Sequence, residues 1–507
     1  MTSFNRHHEP KSARVSRPLE TFIYKADAHQ VIVENLHGKR YGFDFTTVGV
    51  SRHTLLAVYL LSTCLAGPLT FNWPPFRRLF AFRQVFYHLC DPDDVLYSDG
   101  TCLAQQNALA SLPTSAAMGG FLFAFPAGVI KDRWGPKTSC LVGLVFKLIS
   151  YVMLALSSPS FDGYTLGFLS AAIGDQPFFL GMLDAVHLFP GYEGLVIASF
   201  GMARTLVYYF ANLTVFMCVT VGFPYKLTML GLFFVHVFVM VLMLFFIPSA
   251  PFNPATLAQR RFAESPDACV RLLPALLWDK SFWRAATTIP FILWNIYFAI
   301  LVMQVNFFSV SLDLQISPAA FQFYTQATFV EALACWFVGG IADWRGLWMC
   351  PITITVSMAC AYVGICISWT SADYILTLFA VVARSLYLAQ THLVFYKLFP
   401  QGMLGRLIGL TFCVNGLIGL SHGPIFDAAN SHGRLTVVDI VYASISAMNL
   451  SILLYLAYSV PRPGRSCKRI FTRRIESAVS QTQTTQTTTK CDEPPETLPL
   501  TNDLDLA

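Results

Sequence analysis

The chain has 507 residues, of which 55% are hydrophobic, 14% aromatic and only 12% charged, with a formal net charge of +5. A soluble protein carries about 25% charged residues, so a soluble enzyme, a DNA-binding protein and a disordered scaffold all fit poorly. The mean hydropathy of +0.54 points instead to a lipid-embedded protein.

In chain order, residues 1–51 are polar and basic, and Glu9, Glu20, Asp27 and Glu34 argue against a mitochondrial presequence. Twelve apolar runs follow, at 53–72, 107–130, 138–157, 163–189, 192–220, 226–248, 284–311, 319–342, 347–369, 372–398, 404–425 and 435–459. A membrane-crossing helix needs about 20 apolar residues, and uninterrupted runs without alternation favour helices over strands. The polar segment 249–283, with Arg260, Arg261, Arg271 and Lys280, divides the runs into two sets of six. Residues 475–507 are Ser-Gln-Thr-rich and then acidic, the composition of a disordered tail.

The expected architecture is an all-α membrane protein of twelve transmembrane helices in two pseudo-symmetric six-helix bundles. Its parts are a cytosolic tail (1–51), a first bundle (52–248), a cytosolic linker (249–283), a second bundle (284–460) and a disordered cytosolic tail (461–507). Lys and Arg collect in the tails, the central linker and the second connection (Lys131, Arg133, Lys137), which places these on the cytosolic side. The loop 73–106, with Asp91, Asp93, Asp94 and Asp99, then faces outward. Cys90 and Cys102 lie in it, and an oxidising outer side would allow them to pair, although spacing alone does not require it. Most other cysteines sit singly in apolar runs as small hydrophobes.

The connection after the second run contains Gly128, Asp132, Arg133, Gly135 and Lys137, and that after the eighth contains Gly339, Asp343 and Gly346. Both fit G-x-x-x-D-x-x-G, and the two copies are offset by 211 positions (339 − 128). Glycines permit close helix contact and a tight turn, while the aspartate can accept backbone N–H groups or neutralise a helix N-terminus. This duplicated loop resembles the signature of the major facilitator superfamily, and the twelve runs with a long central linker are similar to that family over residues 50–460. Asn72-Trp73-Pro74, the loop with Cys90 and Cys102, and Phe125-Pro126-Ala127-Gly128 resemble the facilitator-type large neutral amino-acid transporters and their protozoan relatives. Asn72 stands where that branch has glycine. The resemblance implies a carrier working by alternating access, with the Gly128–Lys137 loop holding the cytosolic side closed in the outward-open state.

Ionisable residues inside apolar helices are functional candidates. Asp175, Arg204, Glu331 and Arg384 are such residues, and shifting Asp175 by the repeat offset reaches position 386, close to Arg384. Three readings stay open: these groups are ion pairs (Asp175–Arg204, Glu331–Arg384) that fasten helices, they contact a zwitterionic substrate in a midplane cavity, or they serve gating or proton coupling; Trp294, Asn295 and Tyr297 are either a helix-packing stripe or further substrate contacts. Asp184 and His187 are expected in a wet cluster at the inner end of the fourth helix, with a pH-sensitive gate as the alternative. His236 and His392 read as lone histidines bonded to neighbours. Pro68 with Gly67 and Thr70, Pro177 and Pro290 suggest kinks. Asn212 and Asn449 match glycosylation patterns but fall inside helices, and Cys467 follows the last run in a basic segment.

No GxxxxGK[ST] loop, metal-ligand spacing or nucleophile–His–acid cluster is present. The expectation is therefore a non-enzymatic transporter without cofactor or metal. Its partners would be the lipid bilayer, a small-molecule substrate, and protons if transport is coupled, with no nucleic acid. The substrate would be a neutral or aromatic amino acid. A sugar or organic acid carrier, or a non-transporting receptor of this fold, is the alternative. The plasma membrane is the expected location.

Overall fold

The computed structural model describes residues 51–459 apart from 69–72, 94–99, 159, 190, 250–281, 313–314, 368–369, 400 and 432–433. Both tails, most of the central linker, Thr70, Asn72 and Cys467 lie outside the described residues.

The first half contains α1 (Arg52–Ala66), α2 (Trp73–Phe82), α3 (Leu103–Leu156), α4 (Gly163–Met182), α5 (Glu193–Val215) and α6 (Tyr225–Phe246). The second contains α7 (Phe282–Ala286), α8 (Ile289–Ser311), α9 (Pro318–Gln326), α10 (Thr328–Arg345), α11 (Met349–Cys366), α12 (Thr370–Leu386), α13 (Ala389–Leu398), α14 (Leu404–Gly419), α15 (His422–Ser431) and α16 (Leu435–Ser459). The described residues form no strand beyond one isolated bridge, Ser158 to Phe161.

Local chemistry sets the ends of these helices. The Ser51 side chain caps α1 by accepting from the Thr54 N–H, and the helix stops at Gly67-Pro68. Asp162 caps α4 in the same way through the Thr165 N–H at 3.1 Å. Within α3, Gly135 has φ 86°, a conformation that favours glycine, and Pro136 follows it. The 54-residue helix is thus two arms that meet at the duplicated loop.

Among the described residues, eight helices are long and apolar enough to span a bilayer, nine when the bent pair Asp373–Ser385 and Ala389–Leu398 is one span. The difference from the twelve expected runs has three sources. The two arms of α3 run together as one helix. The described part of the first run, α1, is only 15 residues long. Helix α10 carries Glu331, Asp343 and Arg345, too many charges for a purely apolar span. With these counted, the chain is an all-α membrane protein of twelve spans in two six-helix halves.

The segment 73–106 is not simply a loop. Helix α2 folds back over α4, with Trp73 against Phe168 at 5.7 Å and Phe80 against Tyr164 at 5.2 Å between ring centroids. The sequence 73–82 is aromatic on one side and carries Arg77 and Arg78 on the other, which suits an amphipathic helix at the membrane surface. Cys90 and Cys102 are joined in a disulfide that ties the end of this segment to the start of α3.

The halves meet along two helix pairs, α3 with α14 and α5 with α10. At each crossing a glycine faces a glycine. A Cβ on Gly128 would stand 2.0 Å from the Gly405 carbonyl oxygen, and one on Gly339 would stand 2.7 Å from that of Gly194. Gly128 maps to Gly339, and Gly194 to Gly405, by the same offset of 211 residues. The pseudo-two-fold relation between the halves is therefore present in the packing itself.

Candidate functional site

Between the halves lies a cavity of about 1260 Å³, walled by residues of both. Trp73, Arg78, Thr220, Leu420 and Pro424 stand at one end of it, the end that the charge distribution assigns to the outside. Aromatic contacts that cross between the halves stand below it, including Phe179 against His392 at 5.1 Å and Phe121 stacked on Phe412 at 6.0 Å.

Beneath these contacts, at the end that the charge distribution assigns to the cytosol, hydrogen bonds tie the two halves together. Asp132, in the connection after the second span, accepts from the backbone N–H groups of Gly405 and Arg406, both at 2.9 Å, at the start of α14. Asp343, in the connection after the eighth, accepts from Gly194 at 2.8 Å and Leu195 at 2.7 Å at the start of α5. Each carboxylate satisfies N–H groups that a helix terminus leaves unpaired and sits at its positive end. Arg406 reaches Asp132 at 3.2 Å and Lys397 reaches Asp343 at 3.1 Å. Arg133 is exposed beside Trp134, so it takes no part in the clamp. Gly346 ends α10 with φ 117°.

A third cross-half contact was only partly legible. Lys131 pairs with Asp184 at 2.8 Å, and Tyr396 of the second half lies 3.4 Å from each. His187 packs on the Tyr396 ring at 5.1 Å. Asp184 and His187 are 2% and 6% exposed, so they form a dry contact rather than the wet cluster expected. They are dry because Tyr396 and Lys131 cover them.

Within the cavity, Arg384 binds Glu331 through Nη2 at 2.5 Å and Nε at 2.9 Å, and donates to the Tyr324 hydroxyl at 3.2 Å. Both contacts with Glu331 fall on Oε2, which leaves Oε1 out of the pair. Arg204 lies on the opposite half's wall, with its guanidinium 4.2 Å above the Phe179 ring. Among the described residues it makes no ion pair. Ten residues separate Arg204 from Gly194, so it stands about 15 Å above the cytosolic clamp, near mid-membrane.

The same architecture is found in solved structures. The proton:xylose symporter XylE superposes with a TM-score of 0.61 over 81% of this chain and 97% of that one, at 13% sequence identity. The chain has the major facilitator fold. It is a multi-pass integral membrane protein. By sequence, it is 26% identical to the aromatic and large neutral amino acid transporter 5-3 of Toxoplasma gondii, over 80% of this chain and 84% of that protein. It is 21% identical to the cationic amino acid transporter 8 of Plasmodium berghei, over 86% of this chain and 93% of that protein. No family model matches the chain.

Placed in this fold, the candidate residues separate into three groups. Arg204, Glu331 and Arg384 share the cavity wall. Asp175 does not: it is buried in close contact with Lys147 on the second arm of α3, and Lys147 also donates to the Gly67 carbonyl at 3.2 Å, where α1 stops. The alternative pair Asp175–Arg204 is accordingly not formed. Trp294, Asn295 and Tyr297 lie off the cavity wall, in the cytosolic third of α8. Trp294 is five residues into the helix, about 8 Å from its inner end. The Tyr297 hydroxyl lies 3.2 Å from both Gln390 and Thr355, and Asn295 donates back to the Phe291 carbonyl at 2.8 Å.

From α8 the wall is built instead by Val302, Val305, Asn306 and Ser309. Asn306 and Ser309 stand out as polar residues in an apolar run. Asn415 is another: it occupies the position equivalent to Arg204 by the 211 offset and also lines the cavity. Lys147, a cation in mid-span, is not among the candidates drawn from the sequence, although the rule that singled out Asp175 applies to it equally.

Proposed function

We propose that the chain carries amino acids with large neutral or aromatic side chains across a membrane by alternating access. The observation that carries this reading is a central cavity that reaches the outer end of both halves and is clamped by Asp132 and Asp343 at the inner end. Residues 52–248 and 284–460 act as the two bodies, and rocking of one against the other breaks the aspartate clamps and opens the cytosolic side. The wall suits such a substrate. It holds a cationic guanidinium, an ion pair and several aromatic side chains, among them Tyr208, Tyr324 and Tyr387. A cationic side chain would meet Arg78, Arg204 and Arg384, with Glu331 as the one carboxylate among the described wall residues. Similarity to an aromatic and large neutral amino acid transporter along most of both chains supports the same class.

The test is a competition screen of all twenty amino acids against labelled phenylalanine in proteoliposomes, with and without an inward pH gradient. Saturable uptake inhibited by the aromatic and branched aliphatic amino acids, but not by arginine or lysine, is expected. Inhibition by arginine and lysine alone would overturn the assignment. Stimulation by the gradient would add protons as a coupled partner.

A further inference from the structure

The proposed reading leaves open how the cavity recognises the part that all amino acids share, and two side chains on adjacent helices bear on this. Helices α5 and α10 touch at Gly194 and Gly339. They run in opposite directions from that contact: Arg204 is ten residues after Gly194, and Glu331 is eight residues before Gly339. At about 1.5 Å per residue, the two lie about 15 and 12 Å above one crossing point, and so at nearly one depth. Both line the cavity. Tyr208 and Tyr387 each stand within electrostatic range of both and so lie between them, while Asp175, held by Lys147, is the carboxylate that acts on Arg204 directly.

The two groups are complementary and incompletely used. Arg204 makes no ion pair among the described residues, and its guanidinium lies 4.2 Å over the Phe179 ring, a contact that leaves its N–H groups for a partner. Glu331 gives Oε2 to Arg384 and keeps Oε1 out of that pair. We propose that Arg204 and Glu331 together seat the α-amino-acid head group. The carboxylate lies on the Arg204 fork and the ammonium on Glu331 Oε1, with Arg384 holding the glutamate in place. The side chain then projects into the aromatic part of the cavity. This seat takes one atom group from each half, so a bound zwitterion links α5 to α10 across the interface that has to move. The inference rests on amino-acid transport being the function, and it adds which residue holds which pole.

Affinity can be read by ligand-dependent thermal stabilisation of the purified full-length protein. Three ligands share one ring: phenylalanine, phenethylamine, which lacks the carboxylate, and 3-phenylpropionate, which lacks the ammonium. In the unsubstituted protein, each one-pole analogue should bind at least about tenfold more weakly than phenylalanine, the loss of one charged hydrogen-bonded contact. In Arg204→Gln the penalty against phenethylamine should disappear while that against 3-phenylpropionate remains. In Glu331→Gln the pattern should reverse. These ratios are internal to each preparation, so a smaller folded fraction does not alter them. Arg204→Lys, which keeps the charge, should restore part of the phenethylamine penalty.

Equal weakening of all three ligands in both variants, the signature of a structural role, would overturn the assignment, as would penalties that do not cross over. If phenylalanine binds the unsubstituted protein and the ratios fail to cross, only the seat is wrong. If no amino acid binds the unsubstituted protein, the seat falls together with the transport reading.

Discussion

Asp132 and Asp343, 211 residues apart, each cap the start of a helix that belongs to the other half of the molecule. Asp132 holds Gly405 and Arg406, and Asp343 holds Gly194 and Leu195, so all four contacts are related by one offset. One cross-half contact is thus built twice from one loop design, and we propose that it forms the inner gate.

Removing charge from either aspartate should loosen this gate. Asp132→Asn and Asp343→Asn each replace a charge-assisted pair of hydrogen bonds by a neutral one, a loss of about 1–2 kcal/mol. The ratio of outward-open to inward-open molecules should fall about 5- to 30-fold. A cysteine placed at Tyr209, on the cavity wall, should react more slowly with an impermeant thiol reagent in either variant. An unchanged rate in both would mean that the clamps do not set the resting state.

The glycine contacts make a sharper version of the same test. Gly128→Val and Gly339→Val put atoms where backbone oxygens of the facing helix already stand. Both should prevent full closure of the cytosolic side and cut uptake at least about fivefold, because interior overpacking costs about 1–3 kcal/mol. Uptake at the wild-type rate from either variant would show that the helices part there at no cost.

The buried pair Lys147–Asp175 should matter for folding rather than for substrate. Lys147→Met leaves the Asp175 carboxylate buried without its cation and should cost about 3–5 kcal/mol, whereas Lys147→Met with Asp175→Leu should recover most of the thermal stability. Because neither residue lines the cavity, the double variant should keep its KM for phenylalanine. A KM change in a double variant of normal stability would place the pair in the transport cycle.

Arg384 serves two ends at once. Arg384→Gln leaves Glu331 buried and unpaired, so both the amount of folded protein and uptake should fall. Adding Glu331→Gln should restore folding but not uptake. Restored uptake in the double variant would reduce the pair to a helix fastener.

Much of this was legible in the sequence, and the parts that were not share a physical cause. Length and hydropathy located the spans, and the duplicated loop gave the repeat offset that the packing obeys. Position along a helix was readable because depth is a matter of counting residues, which is why Arg204, Glu331 and Arg384 all line the cavity, from its two sides. Rotation about the helix axis was not. In lipid, an apolar side chain meets bilayer, neighbouring helix and cavity alike, so hydropathy alone does not distinguish Trp294 and Tyr297, packed inside the second half, from Val302 and Val305 on the wall. The partner of Asp175 was misjudged for a related reason: Arg204 lies at similar depth, but the carboxylate turns toward Lys147 on another helix. Helix α2 was missed because ten residues with two prolines and two arginines do not register as a membrane run.

The central claim is that one cavity serves both sides of the membrane in turn, and exchange of labelled phenylalanine tests it most directly. Proteoliposomes bearing the purified chain and loaded with unlabelled phenylalanine should take up the label saturably and faster than empty ones, since a loaded carrier returns more readily than an empty one. Flux that never saturates and ignores the internal load, from protein shown to be folded, would contradict it.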